Sequence, residues 1–278
     1  MLDKQTQSSY RDLAAWMARR IHGKPCPIFG INGAQGSGKS TAAAFLKDQL
    51  LSVHGLNAVV VSLDDFYLPR AARQDLAANV HPLFATRGVP GTHDPALGIE
   101  TLNKLRVLKH GDILALPQFS KADDDQRPVA DWPSIKGPVD AILFEGWCVG
   151  TPPQMRVDLE AAVNDLEADE DAEGCWRSIV NTHLETSYAD WFSLLDALVF
   201  LHVPDFACVR RWRWQQEQDT ATMAASTAIG VQSRNQLERF IKHYERLTAH
   251  ALHVMPDRAD VLLTLREDHR VGAIRFRK

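Results

Sequence analysis

The sequence predicts an α/β fold, a mostly parallel sheet of five strands flanked by helices. Five short runs rich in Val, Ile and Leu alternate with longer helical stretches, which is the pattern of crossover units in a parallel sheet. The runs are Pro27 to Ile31, Ala58 to Leu63, Ala141 to Phe144, Ala197 to His202 and Val261 to Leu265. Each is apolar without strict alternation, as strands covered on both faces require. A glycine-rich turn leads from the first run straight into a helical stretch.

Ahead of the first strand, Leu13, Trp16, Met17 and Ile21 recur at three- to four-residue spacing, so residues 1–22 form a helix with one buried stripe. Between the second and third strands, residues 66–138 make a proline-rich insertion interrupted by a helix near Leu97 to Leu108. Irregular stretches of this length in a compact domain are usually functional. From Asp158 to Glu173 the chain carries eight acidic residues and no basic one, which reads as a solvated helix face or a mobile insertion. Towards the end, Leu237, Phe240, Ile241, Tyr244, Leu247 and Ala251 trace a helical stripe that docks on the sheet.

At 278 residues, with 45% apolar and 24% charged residues, the chain has enough apolar surface for one large domain spanning 1–278. A formal net charge of -4 gives no general electrostatic reason to bind nucleic acid or an anionic membrane, so any anion is bound locally. No apolar run reaches the ~20 residues that cross a bilayer. Cys26, Cys148, Cys175 and Cys208 are scattered without a CxxC pair, which points to a reducing cytoplasm.

The local anion site is legible. Gly33-Ala34-Gln35-Gly36-Ser37-Gly38-Lys39-Ser40, followed by Thr41, satisfies the Walker A pattern between a strand and a helix. Its glycines allow a tight turn that aims backbone N–H groups inward, and the helix adds its positive end. Triphosphate oxygens, with ATP the expected nucleotide once a guanine reader is found missing, are the natural occupant: Lys39 reaches the outer phosphates and the Ser40 hydroxyl ligates the accompanying Mg2+. The fold is therefore of the P-loop NTPase type. A guanine reader is absent, since Asn103-Lys104 lacks its aspartate and the Asp171-to-Gly174 match falls in the acidic run.

Two further strand ends carry acids. Val59 to Tyr67 ends a buried strand in Asp64 and Asp65, and in open α/β sheets the ligand crevice lies at that end. A carboxylate there can orient an acceptor hydroxyl and take its proton; the alternative for either aspartate is a helix cap. Ile142 to Trp147 closes in Glu145, placed to orient a Mg2+-bound water, while Trp147 reads as packing.

Ser62-Leu63-Asp64-Asp65-Phe66-Tyr67-Leu68, Arg87-Gly88-Val89-Pro90-Gly91-Thr92-His93-Asp94, Pro117-Gln118-Phe119-Ser120-Lys121 and Phe144-Glu145-Gly146-Trp147 together resemble the D-glycerate 3-kinase family. More distantly the chain is similar to uridine kinase, pantothenate kinase and phosphoribulokinase. The resemblance implies phosphoryl transfer from ATP to D-glycerate, a small-molecule substrate, giving 3-phosphoglycerate. It maps the residue acting on the acceptor hydroxyl onto Asp64. Glycerate brings a carboxylate, which a guanidinium grips through two hydrogen bonds. Arg87 is the first candidate for it, with Lys121 and Arg127 in reserve and Asp65, Tyr67, His93, Asp94 and Phe119 lining the pocket. Arg210-Arg211-Trp212-Arg213 falls in a segment, 205–232, that is a lid in similar kinases, and Arg211 or Arg213 would close onto the transferring phosphoryl group. The stretch Gln218 to Gln232 carries no family motif. A different hydroxylated acceptor (a nucleoside, a pantothenate-like acid or a sugar acid) and a non-catalytic ATP-binding regulator stay open as alternatives.

Overall fold

In a computed structural model that describes residues 2–22, 24–224 and 234–277, the five apolar runs become strands at the expected places. They are β1 (Ile28–Gly33), β2 (Ala58–Ser62), β7 (Ala141–Gly146), β8 (Ala197–His202) and β9 (Val261–Leu265). Four short strands lie in the insertion: β3 (Ile113–Ala115), β4 (Phe119–Ser120), β5 (Asp125–Gln126) and β6 (Ser134–Lys136). The central sheet runs β10-β9-β8-β1-β7-β2, where β10 is Val271–Phe276. All neighbours are parallel except β10 against β9. The expected count of five is thus corrected to six. β10 shows no uninterrupted apolar run, because an edge strand with one solvated face alternates, as its exposed Ala273 and Arg275 do.

Both sheet faces are covered. Phe29, Ile31, Leu143, Val199 and Leu263 pack with Leu13 and Met17 of α1 (Lys4–Ile21) and Leu46 of α2 (Lys39–His54). Their sequence neighbours Ile28, Ile142 and Phe144 face the other way, onto Leu102, Trp191 and Leu247. Full burial of a side chain such as Met17 stabilises by about 1.5–3 kcal/mol. α1 starts where Asp3 accepts hydrogen bonds from the Gln5 and Thr6 N–H groups, and its buried stripe is the predicted one.

Because β1, β7 and β2 are parallel and adjacent, their carboxyl ends open on one edge. Glu145 of β7 sits level with Ile31 of β1 and Ser62 of β2. Gly33, Glu145 and Asp64 are therefore neighbours by register alone, which is the switch-point placement expected of an α/β sheet.

Over that edge lies the insertion, an arm built from α3 (Arg70–Asn79), α4 (Pro95–Arg106) and the hairpins β3–β6 and β4–β5. α4 answers to the expected helix. α3 was not anticipated, since it has no apolar stripe and its one buried residue is Arg73. The start of the arm is tied to the segment before α4 by Leu68 N–H to Thr92 C=O at 2.9 Å and Asp94 N–H to Phe66 C=O at 2.8 Å.

The remaining helices are α5 (Asp165–Glu170), α6 (Cys175–Glu185), α7 (Ser187–Phe192), α8 (Phe206–Ala224) and α9 (Arg234–Val254). Residues 225–232 of the expected lid lie outside the described residues, as does that part of Gln218 to Gln232. The acidic stretch is exposed at six of its eight acids, as a solvated face would be, and the other two, Glu167 and Asp171, are buried. Glu167 is 0% exposed and grips the Arg246 guanidinium of α9 with both oxygens, at 2.7 and 2.6 Å, while buried Asp171 holds Arg177 at 3.0 Å. Nothing in the local sequence announces the Glu167 pairing, because its cation comes from α9, 79 residues along the chain, whereas Arg177 follows Asp171 by only six residues. Glu167→Ala strands a guanidinium in the interior and is expected to cost about 3–5 kcal/mol, read as a lowered denaturant midpoint. A loss below about 1 kcal/mol contradicts the buried pair.

Candidate active site

The loop after β1 has the geometry its glycines allow. Gly36 and Gly38 sit at φ +77 and +82, in the left-handed region, and α2 begins at Lys39. An added Cβ at Gly36 would come within 2.9 Å of Trp212, so the loop is also backed by α8. Gln35, Gly36, Gly38, Lys39, Ser40 and Thr41 line a cleft of about 520 Å³, with Gly33, Ala34 and Ser37 buried behind them. The cleft continues past Ser62, Asp64, Tyr67, Arg87, Lys121 and Glu145 to Trp212, Arg213, Phe240 and His269. Trp212 and His269 stack with ring centroids 4.1 Å apart at its α8 end.

Ser40 Oγ donates to Glu145 Oε1 at 2.8 Å, and Glu145 Oε2 is buried without a hydrogen-bond partner. A buried carboxylate oxygen left orphaned beside a hydroxyl is an oxygen donor set of the kind that suits a hydrated hard cation such as Mg2+. Ser40 and Glu145 are the residues that would hold it.

After β2 the chain turns through Leu63–Phe66, and the cap of that turn is the Ser62 hydroxyl, which accepts from the Asp64 N–H at 3.3 Å. Capping is thus done by serine, which leaves both aspartates for other work. Asp64 enters the cleft, accepting from Lys121 Nζ at 2.5 Å and from the Tyr67 hydroxyl at 3.2 Å. Burial pushes its carboxyl up, but the ammonium groups of Lys121 and Lys39 outweigh this and hold it down at about 2. It is a carboxylate at any working pH.

Asp65 points to the arm and accepts from the Phe119 N–H at 3.2 Å. Burial, with the neighbouring Asp64 charge adding to it, raises its carboxyl to about 6 against the opposing Phe119 hydrogen bond. The two aspartates shift in opposite directions. Asp64 contributes stability above the ordinary carboxylate range and loses it as pH falls towards 2. Asp65 favours the fold while protonated, a contribution complete below the ordinary range and lost as pH rises through about 6. Asp65→Asn should therefore compare more favourably with the parent at pH 8 than at pH 5 in thermal melts. A difference that is flat or reversed with pH contradicts this environment.

Of the other candidates, the structure brings Tyr67, Arg87, Lys121 and Arg213 to the cleft and keeps several away. Arg127 is exposed and off the lining, so its place in the pocket is corrected: the β4–β5 hairpin turns it outward. Asp94 caps α4, accepting from the Leu97 N–H at 2.9 Å. Phe119 is buried behind Tyr67, which meets it edge-on at 5.3 Å. His93 is 2% exposed, stacked on Tyr67 at 4.2 Å, with Nδ1 2.5 Å from the Tyr188 hydroxyl. Burial lowers it to about 3, so it is neutral and acts from behind the wall. Arg211 turns away from the cleft, onto Cys208 Sγ at 2.8 Å and Glu267 at 3.2 Å.

Sequence reasoning missed Tyr244, Tyr188, Arg73 and Asp124. Tyr244 was read as core, which it is, but its hydroxyl also donates to the Arg87 carbonyl at 3.1 Å and presses on Gly88. Gly88 has φ +147, and a Cβ there would lie 2.2 Å from the Tyr244 oxygen. Trp147 is packed as expected, donating to the Gly88 carbonyl at 3.1 Å. The glycine of the Arg-Gly-x-Pro-Gly block is thus required by its positive φ and by the Tyr244 ring pressed against it.

No family model matches the chain. It is 33% identical over 200 residues to the chloroplastic D-glycerate 3-kinase of Arabidopsis thaliana, covering 69% of this chain and 41% of that one. It is also 33% identical over 230 residues to an uncharacterized kinase of Schizosaccharomyces pombe, covering 78% of each. The chain belongs to the D-glycerate 3-kinase family of P-loop kinases. This family member spans less than half the length of the plant relative. In fold it matches a D-glycerate 3-kinase from Cryptococcus neoformans at TM-score 0.78 and 22% identity, over 99% of this chain and 100% of that one. The relatives that it matches are kinases. Among the described residues no helix is long and apolar enough to cross a membrane.

Proposed function

We propose that this kinase transfers the terminal phosphoryl group of ATP to D-glycerate, giving 3-phosphoglycerate. One observation carries the reading: in a single cleft, an ionised carboxylate, Asp64, lies beside the phosphate loop, with a guanidinium, Arg87, on the acceptor side. That combination suits an acceptor bearing both a hydroxyl and a carboxylate. The phosphate loop and Lys39 hold the triphosphate, and Ser40 and Glu145 would hold its Mg2+. Mg2+, when bound, neutralises charge on the β- and γ-phosphate oxygens. Arg87 takes the glycerate carboxylate and so sets which hydroxyl meets Asp64. Asp64 orients that hydroxyl and accepts its proton as the new P–O bond forms and the bond to ADP breaks. Arg213 supports the negative charge spread over the phosphoryl oxygens.

A coupled ADP-release assay over D-glycerate, uridine, pantothenate and a sugar acid tests the reading. Strong stimulation by D-glycerate is expected, and turnover of uridine with none of glycerate overturns it. Slow hydrolysis that no acceptor stimulates would instead mark an ATP-binding regulator.

A further inference from the structure

The β4–β5 turn contains three consecutive aspartates, and they do different things. Asp123 accepts from the Ser120 hydroxyl at 2.5 Å, and Asp125 accepts from the Arg70 N–H at 3.0 Å, so both tie down the turn itself. Asp124, between them at φ +54, is the one that meets cations. Its Oδ2 lies 3.0 Å from Arg73 Nη2, and its Oδ1 accepts from Arg87 Nη1.

The two arginines sharing this carboxylate are unlike. Arg73 is 1% exposed and spent in every direction, donating to the carbonyls of Leu68 at 3.2 Å, Ala85 at 2.9 Å and Asp124 at 2.7 Å. It is a fixed post. Arg87 is 21% exposed on the side chain and lines the cleft. Among the described residues its guanidinium makes one hydrogen bond, to Asp124, which leaves the rest of its five donors for a ligand. Its carbonyl is held by Tyr244, and its guanidinium lies 5.6 Å from the Phe119 ring centroid.

We infer that Asp124 is a positioning residue: anchored by Arg73, it fixes the Arg87 guanidinium in the orientation that receives the carboxylate of the acceptor. The inference rests on the proposed reaction. Two guanidiniums against one carboxylate leave a surplus of one positive charge, which a monoanionic acceptor neutralises and a neutral one does not. A long arginine held beforehand also surrenders less rotamer freedom on binding.

The test is a double-mutant cycle in the full chain, with Mg-ATP saturating and D-glycerate titrated. Asp124→Asn suits the positive φ and removes the charge; Asp124→Gly does the same should the first fail to fold. Either variant is expected to raise KM for D-glycerate by about 10- to 100-fold, the worth of one hydrogen bond to a charged group. The loss should fall on KM far more than on kcat. In an Arg87→Ala background the same substitution should change KM by less than about twofold, because the residue it acts through is gone. An unchanged KM, or an equal rise in both backgrounds, overturns the inference alone. A parent enzyme that fails to phosphorylate D-glycerate overturns the proposed reaction, and this inference with it.

Discussion

Replacing Asp64 by Asn is expected to leave ATP binding intact and to lower turnover by about 10²- to 10⁴-fold, the range for a positioned acid or base. Asparagine keeps the shape and one acceptor for the Tyr67 hydroxyl but loses the charge that Lys121 and Lys39 stabilise. A carboxyl held near 2 is a weak base, so its contribution is mainly orientation of the hydroxyl and a favourable field as the proton leaves. Phosphoryl transfer through a loose transition state asks for little more. Asp65→Asn serves as the contrast. Its side chain faces Phe119 in the arm, and turnover there should fall by less than about tenfold. Near-normal kcat in Asp64→Asn, with a collapse in Asp65→Asn, would exchange their roles.

Arg213→Ala is expected to lower kcat by about 10³-fold, the low end for an arginine supporting phosphoryl transfer. Arg211→Ala should change it by less than about threefold, because an exposed pair such as Arg211 with Glu267 is worth little. The two stand two residues apart on α8, about 200° around the helix, so one faces the cleft only if the other turns away. Arg213 lines the cleft, bonded to Gln216 at 3.0 Å and 6.0 Å from the Phe240 ring centroid. The sequence could not choose between them, since the choice depends on the pitch at which α8 leaves β8. Kinetics at saturating ATP and acceptor separate the pair, and a larger loss in Arg211→Ala would contradict the assignment.

The part of the site carried by backbone was readable from the chain. Glycines before Lys39, and acids closing two buried strands, placed Lys39, Ser40, Asp64 and Glu145 on one edge once the strands were taken as parallel. Side chains whose partners lie far off in sequence were not readable. Asp124 meets Arg87 across 37 residues and Arg73 across 51, and Glu167 meets Arg246 across 79. Periodicity and spacing report neighbours along the chain, whereas these pairs are set by how the arm and α9 fold over the sheet. His93 and Asp94 show the converse. Both were placed in the pocket, and the fold uses one as a buried support and the other as a helix cap.

The most direct test of the account is the phosphorylated product itself. After incubation with ATP, Mg2+ and racemic glycerate, ³¹P and ¹H NMR should show a single new phosphomonoester on the third carbon, with only the D form consumed. A spectrum holding only ADP and inorganic phosphate, or a phosphoester on another acceptor in a mixed panel while glycerate stays intact, would contradict it.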